Sequence, residues 1–266
     1  MIKSVKLTFF VFVFAVVSFS FSGGAAAEGK IGVVLMHGKG GMTQPSSPAG
    51  KLAERLRDAG ILVAIPDMPW SRLRRFDKTY EETMAEIDIY VAQLKAKGAA
   101  RIVIAGHSLG ANAALGYGAR RAGLAGIVAM APGHFIDHQE FQDRVDHDYR
   151  KARERVENSM DDETFPYRDF NQGKVSVRIM TAKNYLSWFD PKGPAAMNMN
   201  TANLKPGTPL LWIYGRKDKL QKIRNSRRVF ARAPDHPKNA IIIVDGGHRD
   251  TPLRGAKRII EWIWGL

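Results

Sequence analysis

The chain of 266 residues contains no cysteine, which excludes disulfide cross-links, thiolate nucleophiles and cysteine-ligated metal together. Acidic residues are also scarce beside basic ones, 26 against 40, for a formal charge of +14. Such an excess implies electrostatic attraction to an anionic envelope surface, whether lipid headgroups, lipopolysaccharide or acidic glycans. No nucleic-acid-binding module is legible, so nucleic acid is not an expected partner. Internal repeats and low-complexity tracts are absent as well, which excludes solenoid and array architectures.

The amino end carries a pattern of its own. Lys3 and Lys6 precede a largely apolar run from Leu7 to Phe21, and Gly23-Gly24-Ala25-Ala26-Ala27 then supplies a small-residue site. The run is shorter than the ~20 residues of a membrane-spanning helix. Residues 1–27 therefore read as a secretory signal cleaved before Glu28, with a retained anchor as the competing reading, and the expected location is periplasmic or secreted. Cleavage removes two charges, Lys3 and Lys6, and lowers the formal charge from +14 to +12. A chain without cysteine suits a periplasm in which folding does not rely on cross-links.

Beyond residue 28, apolar runs alternate with helical patterns, as in an α/β chain with a doubly wound, mostly parallel sheet. Ile31 to Met36, Ile61 to Ile65, Arg101 to Ala105, Leu124 to Met130, Thr208 to Tyr214 and Ala240 to Val244 read as strands. Pro48 to Ala59 places Leu52 and Leu56 one turn apart and stops at Gly60. Thr79-Tyr80-Glu81-Glu82 matches a capping box, and Tyr80, Met84, Ile87, Val91 and Leu94 follow at steps of three and four until Gly98. Asp250-Thr251-Pro252 opens the last helix, which carries Ile259, Ile260 and Ile263.

Gly106-His107-Ser108-Leu109-Gly110 lies between the strand at Arg101 to Ala105 and a small-residue helix. In the G-x-S-x-G arrangement, serine occupies a sharp strand-to-helix turn, and the glycines let backbone come close to a side chain that must stay exposed. Three further strand ends bear reactive groups: His37-Gly38-Lys39-Gly40-Gly41, Gly215-Arg216-Lys217-Asp218, and Asp245-Gly246-Gly247-His248. In a parallel sheet these ends meet along one edge.

The chain order Ser108, Asp218, His248, with the His-Gly loop upstream, resembles the α/β-hydrolase superfamily over residues 30 to 266 apart from a middle insertion. Pro66-Asp67-Met68-Pro69-Trp70-Ser71 is similar to bacterial members and brings no activity with it. The resemblance implies that Ser108 is the nucleophile, His248 the base and Asp218 the acid that orients it. The backbone N–H groups of Leu109 and Lys39 are the expected oxyanion donors, with Gly38 or Gly40 as neighbours if the register differs. Asp245, Asp250 and Asp137 compete with Asp218, and His37, His107 and His134 with His248.

The expected domains are a signal at 1–27, a core at 28–133 and 206–266, and a cap at 134–205, a span too long for an ordinary connection. Asp137 to Glu163, charged and without proline, predicts helices. From Val175 to Asn203 aromatics and methionines mix with asparagine, a composition suited to an apolar acyl group. His134, Trp188 and Met197 are the expected substrate-lining residues. A metal reading built on His134, Asp137, His138 and His147 is weak, because Pro132-Gly133 argues against a helix from His134. Seven basic residues from Lys217 to Arg232 crowd one predicted helix, most simply a solvated face with Leu220, Ile223, Val229 and Phe230 inward. The expected function is hydrolysis of a small-molecule or lipid carboxylic ester through an acyl-enzyme, without cofactor, metal or stable protein partner. Thioester cleavage and acyl transfer use the same triad, and a binding protein that keeps the fold without turnover is an answer of another class.

Overall fold

A computed structural model describes residues 1, 29–223 and 226–266; the signal expected over residues 1–27 lies outside the described residues apart from Met1. The first half of the chain forms β1 (Lys30–Met36), α1 (Pro48–Asp58), β2 (Leu62–Ala64), α2 (Tyr80–Ala96), β3 (Ala99–His107), α3 (Leu109–Arg120) and β4 (Gly126–Met130). The insertion follows as α4 (Gln139–Glu157), β5 (Thr164–Asn171), β6 (Lys174–Thr181), α5 (Ala182–Phe189) and α6 (Met197–Ala202). The chain ends with β7 (Leu210–Gly215), α7 (Lys219–Ile223), α8 (Ser226–Phe230), β8 (Ala240–Val244), α9 (Thr251–Arg254) and α10 (Ala256–Trp264).

Six strands pair in parallel in the order β2-β1-β3-β4-β7-β8. The register sets Val33 opposite Val103, Val103 opposite Gly126 and Ile213 opposite Ile242, so the carboxyl ends of the strands fall along one edge. Successive side chains point to opposite faces, and both faces are covered, which is why the strands read as continuous apolar runs rather than alternations. Ile31, Val33 and Leu35 pack with Leu52 of α1 and with Ile259 and Ile263 of α10. Val34 and Met36 pack on the other face with Met84 and Ile87 of α2 and Ala111 and Ala114 of α3.

Local signals hold where they are steric. Thr79 and Glu82 close the capping box of α2 reciprocally, and Ser47 caps α1 ahead of Pro48. Elsewhere one expectation needs correction. The single basic helix after Asp218 is two short ones, α7 and α8, with Leu220 half-buried, Val229 buried and Phe230 half-buried; the side chain of Ile223 is outside the description.

The insertion carries an antiparallel hairpin, β5 with β6, between α4 and α5. Its apolar residues Val175, Val177 and Ile179 face outward, while α4, α5 and α6 continue the sheet's own core through Phe141, Tyr185, Trp188 and Met197. Trp188 meets Trp70, Phe76 and Tyr80 edge-on at 5.5, 5.4 and 4.8 Å between ring centroids. Such contacts add about 0.5–1.5 kcal/mol each beyond area burial. Among the described residues, no helix is long and apolar enough to cross a membrane.

Candidate active site

Ser108 joins β3 to α3 with φ 56° and ψ −116°, a left-handed backbone that costs a non-glycine residue of order 1–3 kcal/mol and recurs where a side chain must be presented. The flanking glycines make this turn possible. A Cβ on Gly106 would lie 2.0 Å from the Gly110 carbonyl oxygen, and one on Gly110 would lie 2.7 Å from the carbonyl oxygens of Met36 and His37. Two more glycines close on Ser108 from either side. A Cβ at Gly38 would stand 3.1 Å from Ser108 Cβ, and one at Gly133 would stand 2.7 Å from Ser108 Oγ.

Asp218 and His248 reach the same point from the ends of β7 and β8. A turn in which the Asp218 N–H donates to Gly215 O at 2.9 Å buries the carboxylate to 3% exposure. His248 lies 2.8 Å from Asp218 Oδ2 through Nδ1 and 3.0 Å from Ser108 Oγ through Nε2. The buried carboxylate fixes the tautomer: Nδ1–H donates to Asp218, which leaves Nε2 free to accept from the serine hydroxyl. The rival acids lie elsewhere. Asp245 is exposed beside Lys217, Asp250 accepts from the Gly247 N–H, and Asp137 accepts from the Asn198 N–H.

The rival histidines, His107, His37 and His134, are committed to structure. His107 Nε2–H donates to the His248 carbonyl at 2.9 Å, and burial, with His248 nearby, pushes its pKa down to about 4. His37 lies between the Gly38 carbonyl and the Met68 N–H, and burial holds its imidazole below the usual value. His134 donates from Nε2 to Trp188 O at 2.7 Å and accepts at Nδ1 from Lys39 Nζ at 3.4 Å. Among the described residues, no group of three or more His, Asp or Glu is placed to hold a metal ion.

The loop after β1 passes beside Ser108. Gly40 N–H donates to Trp70 O at 2.8 Å and Gly41 N–H to Gly38 O at 2.9 Å. Gly40 is thereby removed as an alternative oxyanion donor, whereas the Lys39 N–H has no protein acceptor among the described residues. Leu109 begins α3, and N–H groups in a first helical turn have no intrahelical acceptor. The Pro66 to Ser71 stretch buttresses this loop, because the Trp70 indole N–H also donates to His37 O at 2.8 Å.

Ser108 and His248 open into a pocket of about 460 Å³. Leu35, Met36, Leu52 and Met130 form an apolar floor, while Asn171, Gln172 and Arg249 stand at a more polar wall. Among the described residues, no aspartate or glutamate lines it. Trp188 and Met197, expected to line the pocket, do not reach it: both are fully buried in the core, because α5 and α6 pack inward on α2 and α3 rather than over Ser108. His134 is likewise enclosed and touches the lining residue Lys39 instead of the pocket. The wall residues that sequence reading missed, Asn171 and Gln172, come from the tip of the β5–β6 hairpin. Gly133 was missed too, although Pro132-Gly133 directly after a strand end was a signal for it.

A parallel six-stranded sheet with helices on both faces and a serine on the strained turn after β3 defines an α/β-hydrolase fold. The chain belongs to the hydrolase family described as serine aminopeptidase, S33, whose model matches residues 28–249. Solved structures agree on the fold. The monoacylglycerol lipase of Paleococcus ferrophilus aligns with a TM-score of 0.62 at 22% identity, covering 88% of this chain and 94% of that one. A structure reported with the metagenome-derived lipolytic enzymes LipS and LipT aligns at 0.62 and 16% identity, covering 90% and 95%. Est1E from Butyrivibrio proteoclasticus aligns at 0.58 and 16% identity, covering 90% and 87%. No curated protein matches the sequence.

Proposed function

We propose that the chain is an exported serine hydrolase that cleaves carboxylic esters through an acyl-enzyme. One observation carries the reading: His248 bridges Asp218 and Ser108 at 2.8 and 3.0 Å inside a pocket with an apolar floor. As Ser108 Oγ attacks the ester carbonyl, its proton passes to His248 Nε2, and Asp218 stabilises the imidazolium. The oxyanion that forms is met by the N–H groups of Leu109 and Lys39, and losing one such donor typically costs about 100- to 1000-fold in kcat. The alcohol leaves with the proton from His248. Water then gives a proton to the same Nε2, attacks the acyl carbonyl and releases the acid and free Ser108.

The wall of the pocket favours esters over peptides with a free amino end. A substrate ammonium calls for a carboxylate partner, whereas the lining carries none and presents Arg249. For the basic surface and the amino-terminal segment, the reading extends to export and to contact with anionic envelope material.

The test is to treat the purified protein with a fluorophosphonate probe, locate the adduct by peptide mass and screen p-nitrophenyl esters by acyl length. Labelling at Ser108 that is lost in His248→Ala, with turnover of at least one ester, supports the reading. A folded protein that neither labels nor turns over any ester defeats it in favour of a binding role. The mass of the protein recovered from a periplasmic fraction tests export, with a chain beginning at Glu28 as the expected product.

A further inference from the structure

The loop that offers the Lys39 N–H is pliable by composition. Three of its five residues are glycine, and Gly40 sits at φ +65°. A donor must nevertheless stay where the oxyanion will form, since catalysis gains only from groups already in place. The side chain of Lys39 supplies what the glycines lack. It leaves the pocket wall and enters the protein, with Nζ 5.6 and 5.9 Å from the ring centroids of Phe189 and Phe76, and is only 4% exposed.

Its partner comes from 130 positions further along the chain. Lys39 Nζ lies 2.6 Å from Asp169 Oδ1, Arg178 Nε lies 3.2 Å from Asp169 Oδ2, and Asp169 is fully buried. Burial pulls the Lys39 ammonium below its usual value against the opposing pull of Asp169. For Asp169, burial pushes upward, but Lys39 and Arg178 outweigh it and keep the carboxyl ionised. Asp169 belongs to β5 and Arg178 to β6; two residues beyond Asp169 the hairpin turns, with Gln172 and Gly173 both left-handed, and Asn171 and Gln172 enter the pocket wall. Buried ion pairs are poor sources of stability, because desolvation offsets most of the attraction. Their better attested use is to fix register between elements.

We propose that Lys39 is a positioning residue whose buried ammonium, held by Asp169, fastens the oxyanion loop to the β5–β6 hairpin and makes the two walls of the pocket one rigid unit. The kinetic arm of this inference rests on the ester-hydrolase reading; the structural arm does not. Lys39 then has two separate tasks: its N–H faces the reacting carbonyl, and its Nζ holds the loop that carries the N–H.

The experiment compares the full chain with Lys39→Met and with Lys39→Met/Asp169→Asn, the second variant avoiding an uncompensated buried carboxylate. Amide hydrogen exchange is followed at Gly40 and Gly41 and across 170–174, alongside kcat and KM for p-nitrophenyl acetate. In the double variant both segments should exchange faster together, and kcat should fall by about tenfold or more while KM stays within about threefold, since donors are displaced rather than removed. Faster exchange in the hairpin alone, or unchanged exchange in both segments, overturns the proposal. A lower kcat without faster exchange at Gly40 and Gly41 overturns it too. If the parent protein neither labels nor turns over ester, the functional reading fails, and the exchange arm still decides whether the pair couples loop to hairpin.

Discussion

Lowering the pH from 8 to 5 should destabilise this protein through His134, by an amount its surroundings fix. The ring is enclosed, with Nε2–H donating to Trp188 O and Nδ1 facing the Lys39 ammonium. Burial, then the positive charge of Lys39, push its pKa from 6.5 down to about 3. An unfolded histidine titrates near 6.5, so between the two values the unfolded chain binds a proton that the folded chain refuses, and stability falls as pH falls. At pH 5 the linkage has run for about 1.5 pH units, which at about 1.36 kcal/mol per unit is about 2 kcal/mol. His37 and His107 are pushed in the same direction, so the parent protein loses more than this share. The assay is urea unfolding followed by tryptophan fluorescence at pH 8 and pH 5, for the parent and for His134→Gln. The parent's loss should exceed the variant's by about 2 kcal/mol; equal losses would refute the enclosure of His134 and the neutral lone pair that faces Lys39.

Four further outcomes follow from the site. Ser108→Ala should abolish ester turnover, and Asp218→Asn should lower kcat about 10,000-fold by spoiling the His248 tautomer, with unfolding midpoints little changed. Gly133→Ala places a Cβ 2.7 Å from Ser108 Oγ and should slow fluorophosphonate labelling by about 100-fold, as misplaced reacting groups do; an unchanged rate would mean that the Pro132-Gly133 turn yields without disturbing the nucleophile. With Arg249 on the rim and no carboxylate in the wall, an ester bearing a carboxylate should show a KM about two- to fivefold lower than its neutral isostere at low salt. Arg249→Gln or added salt should erase that preference, and a preference that survives both would move its origin elsewhere.

What the sequence made legible was what sterics and strand ends determine. Gly106 and Gly110 announce the turn because no other residue fits against the Gly110, Met36 and His37 carbonyls. Asp218 and His248 were placed by the ends of two apolar strands, a stronger guide than distance along the chain. The insertion was harder. Lys174-Val175-Ser176-Val177-Arg178-Ile179 alternates with a period of two and so carried a strand signal, but the apolar members of that alternation face outward. Treating apolar residues as the inward, substrate-facing set put Trp188 and Met197 on the pocket when their size and shape serve the core. The polar members were the informative ones, since Arg178 lies on Asp169.

Lys39 shows why the loop could be only half read. The backbone role proposed for it rests on position in a His-Gly loop, whereas the side-chain role proposed for it depends on Asp169, which lies in a hairpin that charge and composition concealed. A lysine between glycines reads as a solvated residue, because an ammonium is rarely buried without a partner. The partner exists only once β5 and β6 pair and turn Asp169 inward beneath Asn171 and Gln172. A shorter cation or an apolar side chain at position 39 would leave Asp169 to Arg178 alone, and the glycine-rich loop would lose its only ion pair to the hairpin among the described residues.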